Sequence, residues 1–126
     1  MEKLTFDTGV KSYKVGAGVL KFNPTDPNIY ARFLEILDSL SSLEEDLSKV
    51  SGADAVTALA DADKTIKEKL SYVFGGDNDL QAIFRGVSLL AVGANGQRLI
   101  TNFLAALEPI LSAGARQCAA AEAATL

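Results

Sequence analysis

Leu4 and Phe6 alternate with Thr5 and Asp7, the period-two pattern of a half-buried strand. Asp7-Thr8-Gly9 then reads as a turn, with a glycine free to take positive φ. Val10, Tyr13 and Val15 form an imperfect second strand. Gly16-Ala17-Gly18 interrupts it, and Val19-Leu20-Lys21-Phe22 forms a third. The expected product is a small antiparallel hairpin or meander. Two or three short strands need a surface to lie on, and the rest of the chain reads as helix.

Asn23-Pro24-Thr25-Asp26-Pro27 separates the two regimes, because Pro24 and Pro27 cannot enter a sheet interior. Asp26 before Pro27 fits an N-cap and a first helical residue. Beyond them Ile29, Phe33, Ile36, Leu40, Leu43, Leu47 and Val50 recur in alternating steps of four and three, a heptad spacing. Tyr30, Leu34 and Leu37 widen the stripe in its first half. That predicts a first half set in the core and a second half meeting one partner helix. About 24 residues would run roughly 36 Å. Ser51-Gly52 ends this helix, with Gly52 as a left-handed cap. A second helix, from about Asp54 to Val73, carries a thinner stripe of Val56, Leu59, Ala62, Ile66, Leu70 and Val73. A short loop makes the two an antiparallel pair.

Phe74-Gly75-Gly76-Asp77-Asn78 is a second break. Asp79 can cap a third helix with Leu80, Ile83, Phe84, Val87 and Leu90 on one side, weakened by Gly86 and Gly93. Asn95-Gly96 is a turn. A last helix carries Leu99, Ile100, Phe103, Leu104, Leu107 and Leu111, and Pro109 should kink or end it. Seven of the twelve residues from Ala113 to Ala124 are Ala, a run with little to bury that should fray. The fold class expected is α+β: a small N-terminal antiparallel hairpin or meander packed on a bundle of about four helices. Residues 1–112 form one domain (β part 3–22, helical part 26–112), and 113–126 form an Ala-rich C-terminal tail.

Composition removes most chemistry. The 126 residues are 48% apolar and 22% charged, an ordinary globular balance for a single domain. There is no His, which excludes a His-based triad, a His zinc site and a His general base. Cys118 stands alone, so no internal disulfide or cysteine metal cluster can form. Net charge is +2 over residues 1–22, −7 over 23–63 and +1 over 64–126, for a total of −4. No stretch has the basic density that follows phosphates, so no nucleic-acid partner is expected. Met1-Glu2-Lys3-Leu4-Thr5-Phe6 lacks the apolar core of a secretion signal. Leu99–Ala115, the most apolar tract, contains Glu108 and Pro109 and is too short to span a bilayer. The expectation is a cytoplasmic protein with a reduced thiol and no membrane partner.

Each candidate motif has a plainer reading. Gly16-Ala17-Gly18 resembles the start of a dinucleotide loop, but position 21 is Lys and a Pro-rich break follows, so a tight strand connection is expected. Asp77-Asn78-Asp79 echoes a calcium loop, but Ala82 and Ser88 stand where the loop requires Gly and Glu. Helix capping explains these acids better, and an enzyme built on Asp77 with Asp79 is the least favoured reading. Glu44-Glu45-Asp46 is a solvated helix face. Cys118 has Arg116 nearby but no base to activate it. No catalytic residue, cofactor or metal is expected. The remaining feature is the apolar stripes, whose surplus over one small core marks a surface for a partner or for self-association.

Val15-Gly16-Ala17-Gly18, the run Phe22-Asn23-Pro24-Thr25-Asp26-Pro27-Asn28-Ile29-Tyr30-Ala31-Arg32-Phe33 and the later Val73-Phe74-Gly75-Gly76 resemble small prophage proteins of Gram-positive bacteria. These in turn resemble the tail assembly chaperones of long-tailed phages, over roughly residues 10–110. The resemblance implies a non-enzymatic protein that coats the helical tape measure protein until the tail tube polymerises around it, and it implies self-association. It transfers no site residue. From the stripes, the partner-binding candidates are Leu43, Leu47, Val50, Leu99, Phe103 and Leu107. The alternative is a structural virion component, such as a head–tail connector or tail tube protein, although such proteins usually need more sheet than this chain offers.

Overall fold

Pro24 and Pro27 divide the chain where the pattern changes. The computed structural model describes residues 1–125. Before the prolines stand two antiparallel strands, β1 (Lys11–Val15) and β2 (Gly18–Phe22), in register Lys11↔Phe22 through Val15↔Gly18. After them come α1 (Pro27–Leu47), α2 (Ala53–Phe74), the single turn α3 (Leu80–Ile83) and α4 (Leu99–Thr125). The arrangement is the expected α+β one, with the β part reduced to a hairpin.

Gly16-Ala17 closes the hairpin as a two-residue loop with φ of 58° at Gly16, the primed turn whose twist matches that of the strands. Gly18 is required for another reason: a Cβ there would lie 2.5 Å from the carbonyl oxygen of Ile83. Leu20 and Phe22 point inward and are buried, while Ser12, Lys14, Val19 and Lys21 face solvent. Tyr13 stacks on Phe22, and Phe22 meets Phe74, each pair with ring centroids 4.8 Å apart.

The strand expected around Leu4–Phe6 does not form. Its turn does: the Asp7 carboxylate accepts the Gly9 N–H at 2.9 Å, and Gly9 has φ of 72°. However, Asn23 donates its amide to the Thr8 carbonyl at 3.0 Å, which holds the chain at the end of β2. The preceding residues are exposed, form no strand and never fold back along β1.

α1 begins as read. Asp26 is its N-cap, accepting the Asn28 N–H at 2.9 Å, and Pro27 follows. It ends three residues earlier than the stripe suggests, at Leu47, with Ser48 as C-cap. Val50 therefore lies beyond the helix, and Gly52 is the N-cap of α2 rather than the cap of α1. The stripe also divides differently. Ile29, Phe33 and Ile36 are buried, Leu40, Leu43 and Leu47 are half-buried, and Leu34 and Leu37 face solvent. The first half of α1 is thus buried along one line only.

The third helix stops after one turn, at Arg85 (φ 50°) and Gly86 (φ 78°). α2 supplies the reason. Lys67, only 1% exposed, bonds through Nζ to Asp63 (2.9 Å), to Gln81 Oε1 (3.1 Å) and to the Val87 carbonyl (2.7 Å). The other Asp63 oxygen accepts the Leu89 N–H at 2.7 Å. Ser71, one turn further on, accepts the Leu80 N–H at 3.3 Å. Side chains one turn apart on α2 therefore satisfy backbone groups of residues 80–89, which lets that segment leave the helix without stranding polar atoms. Leu80, Ile83, Leu89 and Leu90 are buried by it. The carbonyls of Leu89 and Ala91 then accept the N–H groups of Ile100 (2.7 Å) and Leu99 (2.8 Å), completing the first turn of α4.

α4 does not end at Pro109. Leu107 and Leu111, on either side of it, are both buried. The Ala-rich run is also helical, so no break in the helix separates it from residues 99–112. Gly114 packs so closely on the Pro24 carbonyl that a Cβ would overlap it.

Candidate functional site

Two concave surfaces flank the hairpin. The first, about 550 Å³, is lined by Val10, Val19, Lys21, Asp26, Phe74 and Asp77 among others. Its polar groups are largely engaged. Asp26 caps α1. Asn78 accepts the Lys21 N–H at 2.9 Å and donates to the Lys21 carbonyl at 2.7 Å, standing in for a neighbouring strand along the outer edge of β2. Asp79 accepts the Gln81 N–H at 3.0 Å as the α3 cap, and of the two acids only Asp77 lines this surface. Among the described residues no group of three or more Cys, Asp or Glu side chains is placed to hold a metal.

The second surface is an apolar groove of about 480 Å³ between the hairpin turn, the end of α3 and the start of α4. Val15, Ile83, Phe84, Val87, Leu99 and Phe103 form it. Phe84 meets Phe103 edge to face, with centroids 5.4 Å apart. Two polar residues sit at its rim. Asn102 exchanges amide contacts with Asn95, and Arg85 reaches the Ala17 carbonyl at 3.4 Å. The groove exists because α3 stops early: a longer helix would carry Val87 and Leu90 along one face, whereas here Leu90 turns into the core and Val87 stays half exposed.

The six residues singled out from the stripes are not one surface. Leu99 and Phe103 lie in the groove. Leu43 and Leu47 line a gap of about 80 Å³ with Leu40, Ile66, Leu90 and Leu104, where α1 meets α4. Val50 is in the loop between α1 and α2. Leu107 is 4% exposed and packs in the core of the single chain, away from any open surface. Val15, Phe84 and Val87 were not singled out as contact residues. No helical stripe could have indicated them together, since they come from a strand and an irregular segment.

Residues 1–7 form a further exposed feature beside the hairpin. Leu4 is 91% and Phe6 77% exposed, on an arm that makes no strand. Among the described residues β1 has no neighbouring strand on its outer side. Since Lys21 turns its N–H and C=O toward Asn78, antiparallel alternation directs those of Ser12 and Lys14 away from β2, into the open. Among the described residues no helix is long and apolar enough to cross a membrane. No known protein family, curated protein or solved structure matches this chain.

Proposed function

We propose that this chain is a non-enzymatic assembly chaperone of a phage tail, acting in the host cytoplasm, and that it holds segments of the helical tape measure protein against its apolar groove until the tube forms. The observation that carries this reading is the groove of Val15, Phe84, Val87, Leu99 and Phe103, which is apolar along its floor and polar only at Arg85 and Asn102. An amphipathic helix seats its apolar face in such a groove. The sequence resemblance around Phe22–Phe33 and Val73–Gly76 supplies the client's identity. The acids of α1 and α2 would keep a coated complex soluble.

The test is co-expression with a tape measure segment from the same genome. The segment should become soluble and co-purify with the wild-type chain. Val87→Glu, at an exposed groove position, should abolish this, while Leu34→Glu on the outer face of α1 should not. No gain in solubility with the wild-type chain would overturn the proposal. The second reading, a virion component, is favoured by the open β1 edge and the free arm, features that link subunits in rings. Recovery of the protein from purified mature particles would select it, because a chaperone leaves.

A further inference from the structure

We propose that the N-terminal arm of one copy adds a third strand to the open β1 edge of a second copy, seating Leu4 and Phe6 in the groove beside Val15. Four observations converge on a second copy as the occupant.

The first is pattern. Leu4 and Phe6 lie two residues apart, so as a strand the arm would put them on one face and Lys3, Thr5 and Asp7 on the other. That alternation matches β1, where Tyr13 and Val15 face inward and Ser12 and Lys14 face out. A strand laid along β1 with its apolar face inward would continue the inner face of the hairpin, and Val15 at the end of β1 is itself part of the groove wall. The second is length. Seven extended residues cover about 23 Å, enough to run the roughly 17 Å of a five-residue strand.

The third is charge. The hairpin carries Lys11, Lys14 and Lys21 and no acid, and the groove rim carries Arg85, which has no carboxylate within ion-pairing distance among the described residues. The arm brings two carboxylates, Glu2 and Asp7, beside Lys3 and the N-terminal ammonium. The fourth is direction. The Asn23–Thr8 bond draws the base of the arm to the β2 side, where Thr8 lines the first concave surface with Lys21 and Asn78, away from the open β1 edge of its own chain. The β2 edge is not an alternative acceptor, because Asn78 already occupies Lys21.

A two-stranded ribbon gains stability from a third strand, and the exchange covers the two most exposed large side chains of the arm that follow Met1. If the exchange is reciprocal it closes a dimer; if it is not, it builds a ring or a filament. The association does not depend on the client assigned above, and a client helix would compete for the same groove.

Sedimentation of the full chain at about 100 µM should give an assembly larger than one chain. Leu4→Asp with Phe6→Asp should sediment as a folded monomer, because both side chains are exposed in the single chain. A second measurement reads the contact directly. On a Cys118→Ser background, Thr5→Cys in one preparation is mixed with Ser12→Cys or Lys14→Cys in another and oxidised. A disulfide-linked pair of chains is expected from at least one mixture. A monomeric wild-type chain, association that survives the double substitution, or no link at either β1 position would each overturn the proposal. The double variant should still solubilise a tape measure segment. If it assembles as predicted but no client binds to any form, the chaperone reading fails and this one stands.

Discussion

Lys67 shows how much one side chain can decide. Its ammonium is held by three acceptors on two segments, and the Asp63 carboxylate that pairs with it also holds the Leu89 N–H. Among the described residues no buried side-chain polar atom lacks a partner. Lys67→Met keeps the bulk but leaves a buried carboxylate without its cation and frees the Val87 carbonyl. We expect a loss of about 3–5 kcal/mol, read from the urea midpoint, and loosening of residues 80–90 in hydrogen exchange. Gly114 is a second such position. A Cβ there meets the Pro24 carbonyl, so Gly114→Ala should cost about 1–3 kcal/mol in the same assay. At Gly16, where a Cβ meets nothing, the cost of alanine should be only the strain of positive φ, about 1–2 kcal/mol. Composition marks neither Lys67 nor Gly114: one reads as a surface cation, the other as a helix weakener.

The start of α1 and both ends of α2 were legible to within a residue, because caps and breaks are local, whereas α1 stops three residues short of its stripe. Asp26-Pro27 starts α1 and Gly75 ends α2, where the Gly75 N–H reaches the Ser71 carbonyl at 2.8 Å. What periodicity could not assign was which side of α1 is covered. Leu34 and Leu40 both belong to apolar lines, yet Leu34 faces solvent and Leu40 packs on the core. Leu40→Asp should therefore lower the melting temperature strongly, by a stability loss of about 2–4 kcal/mol, while Leu34→Asp and Asp46→Ala should each stay within about 0.5 kcal/mol. Equal melts would mean that the wrong side of α1 has been placed in the core. α4 reverses an expectation drawn from propensity. Pro109 removes one hydrogen bond, but burial of Leu107 and Leu111 on either side holds the helix together across it. Pro109→Ala, at an exposed position, should raise stability by about 1–3 kcal/mol in a thermal melt.

For the molecule as a whole, the groove and the arm are complementary products of the same economy of chain. Burying Leu4 and Phe6 contributes about 3–6 kcal/mol before the cost of association. The margin left after that cost is small, so a client can displace the exchanged strand. Salt should act only modestly, because the charges at the rim are exposed and few. A client that binds the groove should shift the sedimentation of the wild-type chain toward a single copy. The double variant Leu4→Asp with Phe6→Asp should bind the same segment at lower concentration, since nothing competes for the groove.

By itself the sequence determined what depends on near neighbours: the hairpin loop at Gly16-Ala17, the capped start of α1, the break after Phe74, and the absence of any histidine chemistry. It also carried the α+β order of the elements, since period two gives way to heptad spacing at the two prolines. Only the tertiary structure decided the fate of residues 1–10 and 84–98. Their conformations are set by partners far along the chain, Asn23 for Thr8, Lys67 for Val87 and Asp63 for Leu89. The groove arises from those distant bonds. A backbone group satisfied by a remote side chain leaves no trace in local periodicity, so a surface built that way stays invisible until the chain is folded.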